Sequence, residues 1–232
     1  PGSALTAALV ILFVADFCSA KDGKRSWFNP LASLLLALVT VVCCYTTAGE
    51  ASAFGGMYQA NAGVTVVKTI LALGTFIVVL MSKAWITREE SRVREGEFYM
   101  LTVSTLLGMF MMMSAGHFLL FFLGLEMASV PLATMVAFDL HRNDSAEAAA
   151  KFILTATFSS GVMLFGISFL YGMCGTLYFD DVALQITRQG CTPLLLMGLV
   201  FFFSGLGFKI SLVPFHFWTA DTYQGAPTTV TG

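Results

Sequence analysis

The stretch "GLGFKISLVPFHFWTADTYQGAPT", Gly205 to Thr228, sets one lysine inside a run otherwise suited to hydrocarbon. A charge at bilayer mid-depth costs about 2.5 to 3.5 kcal/mol on insertion scales, so Lys209 needs a partner or a water-filled cavity. Pro214 follows five residues later. A proline cannot donate to the carbonyl four residues before it, here that of Ile210, so the backbone beside Lys209 is expected to be loosened. The stretch predicts a membrane helix broken near Pro214 and beside a buried charge.

Composition agrees. Of 232 residues, 57% are hydrophobic and 11% charged, against roughly a quarter charged in an ordinary soluble domain. Net charge is -2, which supplies no basic field for nucleic acid. Apolar blocks fall near 4–17, 29–47, 63–85, 98–114, 117–138, 149–173 and 193–219. All but the first are long enough to cross about 30 Å of hydrocarbon as helices, and none alternates with the period of a strand. The fold class expected is therefore all-α, an integral membrane bundle of about seven transmembrane helices with the seventh broken near Pro214. The chain starts at Pro1 inside a short apolar block, so more sequence is expected upstream, and "APTTVTG" reads as a loop leading to a further element. Lys21, Lys24 and Arg25 follow the first block rather than precede it, which argues against a signal peptide.

Loop charge sets direction. Lys21, Lys24, Arg25, Lys83, Arg88, Arg92, Arg94 and Arg142 follow the odd blocks, whereas Arg188 alone follows an even one. By the positive-inside rule the odd spans end in the cytoplasm. The segment "REESRVREGE" reads as a solvated loop. Ser159, Ser160, Gly161 and Gly166 are expected to let helices approach closely, a packing role without chemistry. Cys18, Cys43, Cys44, Cys174 and Cys191 lack metal-ligand spacing and read mostly as small buried apolar side chains.

Three ionisable residues cannot be read as loop decoration: Glu126, Lys151 and Lys209. Glu126 and Lys209 are each well inside a span and are expected to meet. A carboxylate favours the charged form of a neighbouring lysine while desolvation favours the neutral form, so a moving carboxylate would switch proton affinity. Pro131 frees the carbonyl of Met127, one residue from Glu126, as Pro214 does beside Lys209. A static structural ion pair is the competing reading. Lys151 near the start of its span, and Lys68 near the start of the third, read as snorkelling side chains. Asp16 is expected at a helix end and His117 at the interface, while His216 in the broken segment is a candidate proton relay. The histidines His117, His141 and His216 supply no credible haem ligation, and no phosphate-binding loop, zinc motif or nucleophile elbow is present.

The segments "FLGLEMASVPLATMVAFDLHRNDSAEAAAKFIL" and "GLGFKISLVPFHFWTADTYQGAPTTVTG" closely resemble the subunit N family of bacterial NADH-quinone oxidoreductase, respiratory complex I. That family sits in a wider group of antiporter-like subunits and multisubunit sodium/proton antiporters. The resemblance is specific from about Gly96 to Gly232 and looser before it. It implies the first half of a fourteen-helix antiporter-like fold: leading helices over 1–95, and over 96–232 the first of two inverted repeats, ending where an eighth helix begins. It also implies that Glu126 and Lys209 are the fifth- and seventh-helix charged pair and that Lys151 is the sixth-helix lysine. Ala220 stands where the family has proline in "FWTPD". The implied function is proton translocation in a bacterial inner (plasma) membrane, driven by quinone reduction elsewhere. On that reading the partners are the other membrane-arm subunits and the lipid bilayer. This chain would hold no cofactor: NADH, FMN, the iron–sulfur clusters and quinone would belong to other subunits. A cation/proton antiporter subunit and a non-pumping membrane scaffold are the alternatives.

Overall fold

A computed structural model describes residues 1–19, 27–46, 50–86, 95–139, 142–190 and 192–231. The described chain is helical apart from one hairpin: α1 (Gly2–Ser19), α2 (Phe28–Tyr45), β1 (Ala51–Ala53), β2 (Tyr58–Ala60), α3 (Ala62–Ile86), α4 (Glu95–Met113), α5 (Phe118–Val136), α6 (Asn143–Cys174), α7 (Phe179–Gln189), α8 (Pro193–Lys209), α9 (Phe217–Gly225) and α10 (Thr228–Thr231). Helices α2 to α6 are long and apolar enough to cross a membrane, while α1 and α8 are shorter apolar helices. With α9 continuing beyond α8, this gives seven crossing segments, the seventh in two pieces.

Local chemistry places the ends. Glu95 and Glu97 open α4, where carboxylates face the positive end of the helix dipole. The Thr192 side chain accepts from the Leu195 N–H, with Pro193 in the first turn of α8. Gly175 closes α6 with φ 68, a left-handed cap that glycine adopts without strain.

Loops after α2, α4 and α6 gather at one end. Gln59 N–H donates to the Ser114 carbonyl at 2.7 Å, Gly116 N–H to Met57 at 2.7 Å and Phe118 N–H to Leu177 at 3.0 Å. The Tyr178 hydroxyl donates to the Gly55 carbonyl at 3.1 Å. At the other end, Asp16 lies against Gly96 in the first turn of α4, and the Ser145 hydroxyl donates to the Val136 carbonyl. This alternation is the one that the loop charges require. Lys21, Lys24, Arg25, Arg88, Arg92 and Arg94 themselves lie outside the described residues.

Among the described residues, the two largest of four apolar clusters hold most of the bundle. Leu5, Leu12, Phe28, Leu36, Phe98, Tyr99 and Phe110 join α1, α2 and α4, and Leu125, Met163, Ile167 and Phe202 join α5, α6 and α8. The outer surface stays apolar, as lipid demands, with Phe17, Leu154 and Phe158 mostly exposed. Close approach rests on glycine. A Cβ on Gly124 would lie 2.6 Å from the Met112 nitrogen, and one on Gly205 2.6 Å from the Ser159 carbonyl oxygen. Gly166 likewise faces the backbone of α8 at Phe202, but Gly161, expected at an interface, has no atom within 4 Å and faces outward.

Several expectations need correction. The hairpin and the amphipathic α7 are regular elements in segments read as loops. Lys68 is 2% exposed and does not snorkel, because the hairpin folds over it. His117 keeps its expected place at a helix end, as the N-cap of α5, but is buried there against Tyr178. Of the cysteines, Cys43 is buried, Cys18 and Cys44 are exposed on the apolar surface and Cys174 is half-buried. Cys191 lies outside the described residues.

Candidate functional site

The seventh segment breaks at Lys209, not at the proline. The Leu212 N–H donates to Gly207 at 2.8 Å, spanning one more residue than a helical bond, and the Ser211 N–H donates to Phe208 at 3.1 Å. Ser211 has φ 56. These are the paired bonds and the left-handed residue of a Schellman cap, so α8 stops at Lys209 before Pro214 acts. The bond from Val213 to Pro214 is cis. Trp218 bridges the gap by donating from Nε1 to the Phe208 carbonyl at 3.0 Å, and its ring stacks on Phe208.

Helix α5 differs. It runs unbroken from Phe118 to Val136 through Pro131. Side chains brace the backbone there: Ser129 donates to the Leu125 carbonyl at 2.7 Å and Thr134 to the Pro131 carbonyl at 2.6 Å. The loosened backbone expected beside Glu126 does not become a break, because helix continues on both sides of one missing N–H.

Glu126 and Lys209 meet. Lys209 Nζ lies 3.2 Å from Glu126 Oε1, with side chains 10% and 27% exposed. That exposure leaves the pair sunk in the bundle but open on one flank. Lys209 also donates to the Ser129 hydroxyl at 3.1 Å. The Ser160 hydroxyl, from α6, lies against the same Glu126 oxygen and 2.8 Å from the Ala156 carbonyl. It has one proton, which can go to either acceptor. Lys209 is also the last residue of α8, where the negative end of the helix dipole favours a positive charge. Three helices therefore supply four polar side chains at one depth. The arrangement can hold a proton on Lys209, and a shift of the carboxylate toward Ser160 would weaken that hold.

The structure places Lys151 in a second ionic group. Its Nζ lies 2.8 Å from Glu147 on α6 and 2.9 Å from Asp221 on α9. The three side chains are each about half exposed or more, on the face where α6 meets α9. Lys151 is thus paired across two helices rather than merely snorkelling, and it makes no direct contact with the Glu126–Lys209 pair. From Lys151 to Ser160 is nine residues of α6, about 13 Å along its axis. His216 is the residue before α9, is exposed, stacks on Phe217 at 4.6 Å between ring centres and touches neither Glu126 nor Lys209. At the hairpin end His117 Nδ1 accepts from the Leu119 N–H at 3.2 Å, and burial pushes its imidazole below the ordinary histidine value. Among the described residues no cluster of His, Cys, Asp and Glu could hold a metal ion.

Sequence reasoning missed Ser129, Ser160 and Asp221. Ser129 carries a usable signal, being three residues after Glu126 and so on the same helix face. Ser160 was read as packing only, and nothing in the spacing relates Asp221 to Lys151 seventy positions earlier.

Residues 115–232 match the family described as NADH:quinone oxidoreductase/Mrp antiporter, TM. The chain is 54% identical over 97% of its length to NADH-quinone oxidoreductase subunit N of Phocaeicola vulgatus. It is 37% identical over its whole length to the subunit of the same name in Neisseria gonorrhoeae. These matches span 47% and 48% of the relatives, so the chain covers about half their length. Among solved structures, respiratory complex I from Thermus thermophilus with bound Aureothin contains a chain with TM-score 0.79 and 30% identity over 99% of this one and 48% of that one. An archaeal membrane-bound sulfane sulfur reductase contains a chain with TM-score 0.81 at 21% identity, covering 99% of this chain and 49% of that one, a likeness of fold alone.

Proposed function

Because this chain belongs to the NADH:quinone oxidoreductase/Mrp antiporter transmembrane family, we propose that it is the N-terminal half of a proton-translocating subunit of a bacterial NADH:quinone oxidoreductase. It is a multi-pass membrane protein with the first half of an antiporter-like fold. On this reading residues 96–232 form the first repeat, the bacterial inner membrane is its place and other membrane-arm subunits are its partners. NADH, FMN, iron–sulfur clusters and quinone belong to those partners.

The observation that carries the proposal is the contact of Lys209 with Glu126 at 3.2 Å, at a helix break deep in the bundle. While Glu126 stays close, Lys209 keeps its proton. When the carboxylate is drawn away, the ammonium loses its main counter-charge and passes the proton on, and its return reloads the amine. Asp221 and Glu147 hold Lys151 as the next cationic station along α6. His216 relays protons only if the α8–α9 connection rearranges, since it stands clear of the pair.

The test is Glu126→Gln in the full-length chain within its assembled complex, reconstituted in vesicles. Protons moved per electron should fall while quinone reduction continues. An unchanged ratio in normally assembled complex would favour the scaffold reading. Pumping that persists without NADH and follows an imposed sodium gradient would favour the cation/proton antiporter.

A further inference from the structure

Among the described residues outside that site, one cationic side chain is more deeply buried than Lys209. Lys68 is on α3, 2% exposed, and its Nζ donates to the Tyr58 hydroxyl at 2.9 Å and to the Ser114 hydroxyl. The same nitrogen stands 4.9 Å from the centre of the Tyr58 ring and 5.6 Å from that of Phe110. Among the described residues no carboxylate comes within ion-pair distance of it. Of the elements packed around it, the hairpin contributes Tyr58, α4 contributes Phe110, the turn after α4 contributes the neutral Ser114, α1 brings Gly2 and the chain's first residue to the Tyr58 hydroxyl, and α2 contributes the thiol of Cys43.

A buried ammonium is normally held by a carboxylate. Here two hydroxyls and two aromatic faces hold it, and those groups serve either protonation state. As an ammonium, Lys68 donates to both oxygens and lies near the ring faces. As an amine, it accepts from the phenol of Tyr58 through its lone pair and still donates to Ser114. Tyr58 is half-buried, with its hydroxyl on Lys68, and it pairs with the exposed strand β1.

We propose that Lys68, Tyr58 and Ser114 form a second proton-binding site, beneath the hairpin, that exchanges one proton with the water on that side through Tyr58. In release, a Lys68 N–H bond breaks and an O–H bond forms on Tyr58 as the phenol gives its own proton to water. Neutral amine and neutral phenol remain, and one proton has left. Loading reverses each step. The site is independent of the Glu126–Lys209 reading, because it lies on different helices and shares no side chain with that pair.

The experiment uses the full-length chain in its assembled complex, labelled with 15N-lysine and held in lipid. The Lys68 Nζ resonance is assigned by its loss in Lys68→Met. Across the pH range in which the complex stays assembled it should move reversibly between the ammonium and the amine positions. Tyr58→Phe should slow the exchange on the order of a hundredfold, the scale of a positioned proton-transfer group. Lys68→Arg should fold and show no titration at this position. A Lys68 signal that stays ammonium, or stays amine, across the whole range overturns the proposal, as does an exchange rate unchanged by Tyr58→Phe. Because Lys209 gives its own resonance, failure here leaves the Glu126–Lys209 reading standing.

Discussion

Lys209 Nζ lies 3.2 Å from Glu126 Oε1, and Lys209 is also the last residue of α8. The two facts act together. A carboxylate on a neighbouring helix and the carbonyl end of its own helix both favour a proton on the amine. Only the carboxylate is on a side chain that can swing, and Ser160 waits on its other side. The charge is thus held by one fixed and one movable source of negative potential.

The break that makes this geometry depends on Ser211 in the left-handed region at φ 56. Ser211→Gly should be close to neutral, since glycine relieves backbone strain while the hydroxyl contact with Thr219 is lost. Ser211→Val should lower the stability of the full-length chain by about 1 to 2 kcal/mol, because a branched side chain at positive φ is strained. Unfolding in detergent measures both. Equal stability of the two variants would mean that the cap does not need this conformation.

The arrangement of loops predicts sidedness. Phe54, at the hairpin tip, is 82% exposed, and Asn143 opens α6 at the other end. In a cysteine-free background F54C should label from outside the cell and N143C from the cytoplasmic side, given the basic loops. Labelling of both from one side would contradict the number of crossings.

At the hairpin end, His117 accepts the Leu119 N–H, and its imidazole is held below the ordinary histidine value by burial. A group whose folded pKa is depressed contributes stability above its unfolded pKa and loses it as pH falls through the folded one. The amides at the start of α5 should therefore be less protected, relative to their intrinsic exchange rates at each pH, below the ordinary histidine range than at neutral pH. His117→Asn keeps a cap acceptor without a titrating ring, and should remove that pH dependence. A loss of protection at low pH that survives in His117→Asn would place its cause elsewhere.

The crossings were legible in the sequence because lipid-facing helices need unbroken apolar runs, and the Glu126–Lys209 pair because charge is rare inside them. The hairpin and α7 were not, since both are short and α7 is too polar to register as a span. Lys68 was misread for a related reason. Six residues into α3 it was within reach of the interface, and only the hairpin folded across it closes that exit. Pro214 drew attention to the right segment for an incomplete reason, as the backbone turns at Ser211 before the proline is reached. Partners far apart in sequence, Ser160 with Glu126 and Asp221 with Lys151, had no periodic signal to join them.

The central claim is that Lys209 gives up and regains a proton under the control of Glu126. The most direct measurement is the number of protons pumped per electron in vesicles, for assembled complexes carrying Lys209→Ala or Lys209→Arg in the full-length chain. Assembly and quinone reduction are matched to the parent. Alanine removes the titrating group, and arginine holds its proton too firmly to release it while still able to pair with Glu126. The account predicts a lowered ratio in both variants. A ratio equal to the parent's in both would contradict it, leaving a static ion pair that ties α5 to α8.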